Sequence, residues 1–381
     1  MSAEAHRTRP IRCEEEAGRL VVLDQRRLPH ETVFRELRTP SEVIAAVRTL
    51  TVRGAPLIGV TGAWGVWLAA RGAPSGPEGR RGLEEAAAGI AAARPTAVNL
   101  RAAVERVLRA ALAADDREGR TRLAAAEAAA IEREEIEACR RIGEHGLPLL
   151  RKLSAERGGA PVNVLTHCNA GRLACVEYGT ATAPLYAARE AGIALHVWVD
   201  ETRPLNQGAR LTAWELARAG IPHTLIPDNA AGHLMQRGRV DLVIVGTDRT
   251  TAAGDAANKI GTYLKALAAA DNGVPFYVAL PASSFDWSLT DGVAGIPIEE
   301  RDPEEVRWVE GWDGRGRARV RICPAETPAA NFAFDVTPAR LITGLITDRG
   351  LCRPDPADIR RLFPEAAGGG FQSDPGPPAS C

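Results

Sequence analysis

The pattern of hydrophobic positions predicts mostly helical structure in the first part of the chain. Ala-rich segments at about 83–93 and 98–114 repeat their apolar residues at helical spacing, and a longer segment, roughly 119–152, does the same. The intervening stretches contain no comparable runs of β-branched residues. We therefore expect a mostly helical N-terminal domain over residues 1–155 that contributes arginine residues to any phosphate site.

Local signals predict where individual helices begin or break. Thr39 can cap a helix, Pro40 suits the first helical position and Glu42 can complete a capping box, so a helix should begin here. Inside the longest Ala-rich segment, Gly143 or Pro148 should interrupt the helix, because glycine is flexible and proline lacks an N–H group.

From about residue 160, short β-branched runs alternate with amphipathic or Ala-rich segments. Each run is apolar at consecutive positions, which is typical of a strand with both faces covered. Five runs show this pattern: 162–166, 194–199, 223–226, 241–246 and 275–280. The alternation predicts a parallel sheet with right-handed helical crossovers. The expected fold class is α/β, with a Rossmann-like parallel-sheet C-terminal domain over residues 156–365 and a disordered tail over 366–381.

Polar residues follow all five predicted strands. Ligands of open α/β sheets bind beyond the carboxyl ends of the strands, so these residues define one candidate site. They are His167-Cys168-Asn169-Ala170-Gly171, Asp200 to Pro204, Asp228-Asn229, Thr247-Asp248-Arg249 and Pro281 to Ser284. Any single Asp or Asn could instead cap a helix or form a turn, and a buried Cys is often only a small hydrophobic residue. Five such strand ends together favour a site.

Cys168 and Asp248 are the candidate pair for chemistry. Cys168 at the start of a helix would feel the positive end of the helix dipole, which can lower the pKa of a thiol. A half-buried Asp248 could have a raised pKa and act as a general acid. The pair would suit proton transfer around a carbonyl or enediol. His167 is adjacent to Cys168 and should point the opposite way, so it is poorly placed as the base of a Cys–His protease.

Two arginines stand where they could bind an anion. Arg53 precedes Gly54 and Ala55 in a turn that leads into an apolar helix, so a guanidinium group and free N–H groups would meet there. Arg94 likewise lies just before a predicted helix start. Gly-Ala-Pro is also a common lead-in to a helix, so this signal is weak on its own.

A second anion signal lies in the segment 256–271. It places Asn258 and Lys259 in the first turns of a predicted helix. A lysine is mildly unfavourable at that end of a helix, so its presence suggests a bound anion. The sequence contains no GxGxxG or GxxxxGK[ST] motif, so neither a dinucleotide nor a nucleoside triphosphate is indicated.

Composition argues against several other classes of function. The 381-residue chain has a formal net charge of -1, so it lacks the excess of Lys and Arg that bulk binding of nucleic acid requires. No apolar run approaches the roughly 18–20 residues of a membrane helix, and the polar N-terminus has no signal-peptide pattern. The seven Cys are scattered without CxxC pairs, so we expect no disulfide framework, no zinc site and a cytoplasmic location.

Six segments together resemble the 5-methylthioribose-1-phosphate isomerase family of the methionine salvage pathway. They occur in family order between about residues 20 and 350: RGAPLIG, ARPTAVNL, LTHCNAG, VDETRPLNQGARLTAWEL, GTDRTTAAGDAANKIGTY and FDVTPARLITGLIT. The family converts an aldose 1-phosphate, 5-methylthioribose 1-phosphate, to the ketose 5-methylthioribulose 1-phosphate. The resemblance implies this reaction, a small phosphorylated sugar as substrate, no metal or organic cofactor, and a homodimer.

The resemblance also implies roles for individual residues. The catalytic pair of the family maps onto Cys168 and Asp248. Asp248 would protonate the ring oxygen, since phosphate on the anomeric oxygen blocks spontaneous ring opening, and Cys168 would accept the C2 proton or stabilise an enediol-like transition state. A direct hydride shift is the alternative. The substrate ligands of the family map onto Arg53, Gly54, Ala55, Arg94, Gln207, Asn258 and Lys259.

Several residues depart from the family pattern. Thr247 stands where the family usually has Ala, and Ala253 replaces a common Asn, so both could alter the hydrogen bonding around Asp248. Three tryptophans are bulkier than expected and could belong to the core or reshape the pocket for the 5-substituent: Trp64, Trp198 and Trp287.

Three other functions are compatible with the sequence. An isomerase of 5-deoxyribose 1-phosphate is hard to exclude, because that sugar also ends in a small apolar group. Ribose 1,5-bisphosphate would require a second cationic cluster, which the sequence does not reveal. A sugar-phosphate-sensing regulatory subunit of the translation-initiation guanine-nucleotide exchange factor shares the fold, but such subunits generally lack the catalytic Cys and Asp.

Overall fold

The structure is a computed structural model that describes residues 8–94 and 97–367. It has a mixed α/β architecture with a helical N-terminal region and a large, mainly parallel sheet, which confirms the predicted fold class. The predicted disordered tail lies outside the described residues from 368 onwards. In the part of the chain that is described, no helix is both long and apolar enough to span a membrane.

Sixteen strands are present in the described ranges. In chain order they are β1 (Ile11–Glu14), β2 (Arg19–Leu23), β3 (Phe34–Leu37), β4 (Val162–Thr166), β5 (Leu195–Asp200), β6 (His223–Ile226), β7 (Leu242–Val245), β8 (Arg249–Thr251), β9 (Ala256–Lys259), β10 (Phe276–Leu280), β11 (Phe285–Asp286), β12 (Trp308–Trp312), β13 (Arg317–Arg321), β14 (Phe334–Thr337), β15 (Gly344–Thr347) and β16 (Gly350–Cys352).

The α-helices alternate with these strands in the second half of the chain. They are α1 (Pro40–Arg48), α2 (Ala55–Gly72), α3 (Gly76–Ala91), α4 (Val98–Ala111), α5 (Arg117–Glu156), α6 (Arg172–Cys175), α7 (Ala183–Glu190), α8 (Ala213–Arg218), α9 (Ala230–Gln236), α10 (Thr262–Asp271), α11 (Gly292–Gly295), α12 (Glu304–Arg307) and α13 (Pro356–Leu362). A π-helical turn, Gly208–Thr212, runs directly into α8.

The central sheet has the strand order β16-β15-β10-β7-β4-β5-β6. All neighbours are parallel except β15 and β16, and the five predicted strands are present as β4, β5, β6, β7 and β10. The chain moves outward from β4 to β6, then returns to the centre at β7 and moves the other way. The carboxyl ends of β4 and β7 therefore flank the topological switch point, where α/β proteins bind their ligands.

The N-terminal helices pack around α2, which is buried along nearly its whole length. The helix is buried on all sides because it consists mainly of small and apolar residues and has no polar face for solvent. At the start of α1, the Thr39 side chain accepts from the Glu42 N–H and the Glu42 carboxylate accepts from the Thr39 N–H, which confirms the capping box. A three-stranded antiparallel sheet, β1-β2-β3, precedes these helices and was not predicted.

The predicted break in the longest helix is wrong, because α5 runs unbroken from Arg117 to Glu156 with Pro148 inside it. A proline removes one backbone hydrogen bond, but the helix is fixed on both sides of it by burial. Ile142 and Leu150 belong to the core beside the sheet, whereas Ala124 belongs to the core of the N-terminal helices. α5 thus contributes to both cores. The domain boundary near residue 155 stays a prediction.

Candidate active site

A cavity lies beyond the carboxyl ends of β4 and β7, where the sheet meets the N-terminal helices. Its lining extends from Leu50 before α2 to Phe334 on β14. All nine residues nominated from the sequence line this cavity: Arg53, Gly54, Ala55, Arg94, Cys168, Gln207, Asp248, Asn258 and Lys259. Five stretches that are far apart in the chain are therefore brought together at the switch point: 53–55, 94, 168, 207 and 248–259.

Cys168 sits in a loop and not at the start of a helix, since α6 begins only at Arg172. Its φ of 65° lies in the left-handed region, and two threonines hold it there. The Cys168 N–H donates to Thr202 Oγ1 at 2.9 Å, and the Cys168 carbonyl accepts from Thr212 Oγ1 at 2.6 Å. The prediction that a helix dipole lowers the pKa of this thiol is therefore wrong, because Cys168 is not at the start of a helix.

The pKa of Cys168 is also shifted in the opposite direction to the expected one. Burial raises the pKa of the thiol, and the nearby positive charges of Arg53 and Lys259 offset this only in part, while Asp248 adds to the rise. The neutral thiol is consequently the favoured form of the resting protein.

His167 points away from the cavity, as its place on an extended segment predicted. Its Nδ1 lies 2.9 Å from Asp200 Oδ2, and its Nε2 lies 2.8 Å from the Ile260 carbonyl oxygen. The ring therefore links β4, β5 and the segment after β9 and is not available to Cys168 as a base. His167, Asp200 and Asp228 form a cluster with metal-ligating atoms, but Lys265 Nζ lies 3.5 Å from Asp200 Oδ2 and already supplies a cation there.

Arg53 is fixed against the strand loop by Asn169. Its guanidinium group donates to both the side-chain and the backbone oxygen of Asn169. Asn169 Nδ2 in turn donates to Glu215 Oε1 at 3.1 Å, and this buried carboxylate also accepts from the backbone N–H groups of Arg172 and Leu173. The position of the Arg53 side chain thus depends on a hydrogen-bonded chain that begins at a buried glutamate.

Gly54 allows the first turn of α2 to reach the cavity. Its φ is 93°, and a Cβ atom placed on it would lie 2.5 Å from Ala174 Cβ, so no other residue fits without a shift. No side chain caps this 18-residue helix. In its first turn Pro56 has no N–H group and the Ile58 N–H donates to the Gly54 carbonyl, so the N–H groups of Ala55 and Leu57 are the ones without a partner within the helix. Free N–H groups at the positive end of a long helix, next to a guanidinium group, favour the binding of an anion.

Asn258 and Lys259 lie on strand β9 and not in a helix, so the helix predicted over 256–271 is wrong in its first turn. β9 pairs antiparallel with β14, and this pairing with a distant segment overrides the local preference. Lys259 is buried, and its Nζ lies 4.7 Å from the centroid of the Phe334 ring. It has no carboxylate within ion-pair distance among the described residues, and burial lowers its pKa.

Asp248 lies three residues after the end of β7 and is half-buried at the cavity wall. Its backbone N–H donates to the Ala257 carbonyl at 2.9 Å. Thr247 Oγ1 lies 2.8 Å from the carbonyl oxygens of both Arg249 and Ala257, so this departure from the family pattern fixes the backbone turn. The Asp248 carboxylate faces the same cavity as Cys168.

Arg94 and Gln207 complete the set of nominated lining residues. Arg94 forms an ion pair with Glu299 at 3.1 Å, and Glu299 also pairs with Arg301. Burial tends to raise the pKa of Glu299, but these two guanidinium groups outweigh it and hold that pKa below its usual range. Gln207 is buried, and its Oε1 has no hydrogen-bond partner in the described part of the chain, as expected of a group reserved for a ligand.

Ser284, one of the residues predicted to follow the fifth strand at the site, lines the cavity and has a buried Oγ without a partner in the described ranges. Sequence reasoning missed two other lining residues as candidates. Phe334 lies in one of the quoted motifs, whereas no local signal marked Arg301. The three tryptophans in question are absent from the cavity lining, and each contacts residues elsewhere: Trp64 bonds to Glu132, Trp198 to the Arg239 carbonyl, and Trp287 stacks on Phe285.

Comparison with known proteins identifies close relatives. A family model described as the initiation factor 2 subunit family matches residues 51–354. The methylthioribose-1-phosphate isomerase of Desulfosudis oleivorans is 58% identical over 94% of this chain and 97% of its own length. That of Rhodospirillum rubrum is 54% identical over 96% of this chain and 94% of its own.

Solved structures are similar over nearly the whole chain. The crystal structure of 5-methylthioribose 1-phosphate isomerase from Pyrococcus horikoshii superposes with a TM-score of 0.81 at 40% identity, covering 94% of this chain and 96% of that one. The translation initiation factor eIF-2B subunit delta from A. fulgidus gives a TM-score of 0.77 at 39% identity, covering 93% and 99%.

Proposed function

The chain belongs to the initiation factor 2 subunit family, and we propose that it is an aldose–ketose isomerase that converts 5-methylthioribose 1-phosphate to 5-methylthioribulose 1-phosphate in methionine salvage. The observation that carries this proposal is one cavity. It is lined by the buried thiol of Cys168 and the carboxylate of Asp248, together with the positively charged side chains of Arg53 and Lys259. Relatives with 54% to 58% identity over most of the chain are methylthioribose-1-phosphate isomerases. The roles of individual residues below are part of the proposal.

The phosphate group binds where positive charge lacks a carboxylate partner. Arg53, the free N–H groups of the first turn of α2 and Lys259 all line the same cavity. The dianion replaces the missing counter-charge of buried Lys259, so binding relieves an electrostatic cost. Gln207 and Asn258 bind hydroxyl groups of the sugar.

Ring opening needs an acid, because the anomeric phosphate prevents the spontaneous opening of an ordinary aldose. Asp248, on the wall of the cavity, donates a proton to the ring oxygen as the bond between that oxygen and C1 breaks. The positive charge that develops at C1 is delocalised onto the phosphate-bearing oxygen. The resulting Asp248 carboxylate is then able to accept the proton of the C2 hydroxyl group.

Hydrogen transfer from C2 to C1 can follow either of two balanced routes. In the proton route, Cys168 accepts the C2 proton as a thiolate and returns it to C1, which requires Arg53 and Lys259 to stabilise the thiolate against burial. In the hydride route, the C2–H electron pair moves to C1 directly and the thiol stays neutral. A substrate deuterated at C2 separates the two, because only the proton route can exchange the label with water.

The test is turnover of 5-methylthioribose 1-phosphate, followed by NMR without added metal or nucleotide. We expect rapid formation of the ketose, and a loss of at least about a hundredfold in kcat for Cys168→Ala and for Asp248→Asn. Cys13→Ala, at a partly buried thiol outside the cavity lining, is the matched control and should retain turnover. Turnover within a few-fold of wild type in both cavity variants would contradict the assigned roles.

5-Deoxyribose 1-phosphate and ribose 1,5-bisphosphate run in parallel in this assay. Faster turnover of either sugar would support the isomerase reaction but would assign that sugar as the substrate. No turnover of any of the three sugars would leave a regulatory, sugar-phosphate-sensing subunit as the remaining function.

We further propose that the protein acts as a homodimer in the cytoplasm. The six cysteines of the described ranges are free thiols, a state that a reducing compartment preserves. Light scattering coupled to size-exclusion chromatography should give twice the mass of the 40.5 kDa chain, and a monomer mass would contradict the dimer.

A further inference from the structure

A second cavity, here called the arginine cleft, lies beside the candidate active site. It is bounded by the loop after β2, the loop after β5 and the β12–β13 hairpin. Eight arginines and four carboxylates line it. Six of these arginines lie outside the active-site cavity: Arg26, Arg27, Arg35, Arg210, Arg317 and Arg319.

The arginine cleft adjoins the active-site cavity. The two share lining residues on both sides: Leu50, Arg53, Leu205, Gln207 and Arg301. Arg53 and Gln207, which are proposed to hold the substrate, therefore stand at the junction.

The positive charge of the cleft exceeds what its carboxylates can neutralise. All four carboxylates are already in ion pairs: Asp24 with Arg26 and Arg35, Glu304 with Arg307, Glu305 with Arg301, and Glu310 with Arg317. Among the described residues, three lining arginines have no ion pair. They are Arg53, Arg210, which donates to the carbonyls of Leu28 and Arg26, and Arg319, which lies over the Trp308 ring.

The hairpin forms the outer wall of the cleft. It pairs only with itself, but its tip contacts the loop after β2. The His30 and Trp312 rings are 5.4 Å apart, and Arg317 Nη2 donates to the Arg26 carbonyl at 3.2 Å. These contacts fix the hairpin against the loop after β2, and Arg319 on the hairpin lines the cleft.

We propose that the arginine cleft is the entrance to the active site and that its unpaired guanidinium groups draw in the phosphate dianion of the sugar. This proposal rests on the proposed function for the identity of the sugar. The uncompensated positive charge raises the local concentration of a dianion and lowers its free energy in the adjoining cavity. The chain achieves this with a net charge of only -1, because the positive surplus is concentrated at one opening.

The test is binding of 5-methylthioribose 1-phosphate to an Asp248→Asn protein, measured by titration calorimetry so that turnover does not interfere. Arg319→Glu is added to this background, since Arg319 has no ion pair whose loss would confuse the result. At about 0.01 M ionic strength, where screening is weak, we expect the dissociation constant to rise about fivefold. At about 1 M the Debye length falls to about 3 Å, and the difference should disappear.

Arg151→Glu is the matched control, because it makes the same change of charge at an exposed site on α5 outside both cavities. When Arg151→Glu is added to the Asp248→Asn protein, the dissociation constant should not change. An unchanged dissociation constant for Arg319→Glu at low ionic strength would overturn the proposal, and so would a loss that persists at about 1 M, which indicates a structural role or a direct contact.

Turnover by the wild-type protein reports separately on the proposed function. Salt-dependent binding without turnover would retain the entrance and reject the isomerase. Turnover together with an unaffected Arg319→Glu variant would retain the isomerase and reject the entrance. An absence of binding by the Asp248→Asn protein at low ionic strength would overturn the entrance.

Discussion

Cys168 combines a strained backbone with a thiol whose charge depends on its neighbours. A φ of 65° is unfavourable for a residue with a Cβ atom, and the two threonine hydrogen bonds hold it in place. Lys259 favours the thiolate and Asp248 opposes it. Substitution of Lys259 and substitution of Asp248 should therefore shift the pKa of the Cys168 thiol in opposite directions.

We therefore predict that the pH dependence of Cys168 alkylation shifts in both directions. In Lys259→Gln the thiol loses a stabilising cation, so its pKa rises and alkylation by iodoacetamide begins at a higher pH. In Asp248→Asn it loses a repelling carboxylate, so its pKa falls and alkylation begins at a lower pH. Mass spectrometry of the peptide that contains Cys168 measures the rate at each pH.

The same digest supplies the control for this experiment. Cys352 has a pKa raised to about 12, mainly by burial, and the charges that act on it come from other residues. Its alkylation profile should be the same in wild type and in both variants. A shift of Cys168 in one common direction in both variants would contradict the opposing effects of Lys259 and Asp248.

At the scale of elements, α5 is positioned by glycines that bring it close to α7. A Cβ atom on Gly146 would lie 2.4 Å from Pro184 Cγ, and one on Gly143 would lie 3.0 Å from the Ala183 carbonyl oxygen. We predict that Gly146→Ala lowers the free energy of unfolding by about 1 kcal/mol or more, because overpacking outweighs the higher helix propensity of alanine. Urea denaturation measures the change.

Gly82→Ala in α3 is the matched control for that prediction. Gly82 is exposed, and nothing lies within 4 Å of a Cβ atom placed there. Gly82→Ala changes only the helix propensity, so the free energy of unfolding should rise by about 0.5–1 kcal/mol. Stabilisation by both substitutions would show that α7 can shift to accept the methyl group.

The elements also show what could be predicted from the sequence. The strands β4, β5, β6, β7 and β10 were predictable, because short β-branched runs that alternate with helical segments are typical of parallel strands covered on both faces. The residues at their carboxyl ends were predictable as a site for the same reason, since the topology alone brings those ends together. Gln207 was found only through the family resemblance.

Other elements depend on partners that a local pattern does not contain. β9 exists because it pairs with β14, more than seventy residues later, so Asn258 and Lys259 were wrongly placed in a helix. β1, β2 and β3 are short and carry polar residues, and only their mutual pairing makes them strands. Pro148 was read as a break because the packing of α5 on two cores is a property of the folded chain.

At the scale of the whole molecule, a buried carboxyl group at the contact of α5 with the sheet makes stability depend on pH. Glu135 Oε2 is buried without a hydrogen-bond partner in the described ranges. Burial raises the pKa of Glu135 from 4.5 to about 7, and the negative charge of Asp348 adds to the rise. Asp348 follows β15, and burial raises its pKa as well.

We predict that Glu135→Gln stabilises the protein at pH 8 but not at pH 4. The folded state binds the proton more tightly than the unfolded state, so wild type loses stability as the pH rises from about 4.5 to about 7. Glutamine remains neutral and avoids this loss, which should amount to about 1–3 kcal/mol at pH 8. Thermal unfolding at a series of pH values measures the difference.

Glu105→Gln provides the comparison, because Glu105 is exposed on α4. It should leave the stability within about 0.5 kcal/mol of wild type at every pH. Equal stability of Glu135→Gln and wild type at pH 8 would show that the carboxyl group is solvated in solution.

The distribution of the lining residues along the chain sets the order in which the protein can become functional during its synthesis. The active-site cavity is lined from Leu50 to Phe334, so its first contributors leave the ribosome long before its last. A nascent chain that already carries Cys168 and Asp248 still lacks β14, against which Lys259 packs. Translation must pass Phe334 before the cavity can close, and a chain that stops earlier carries both reactive groups without the wall that encloses them.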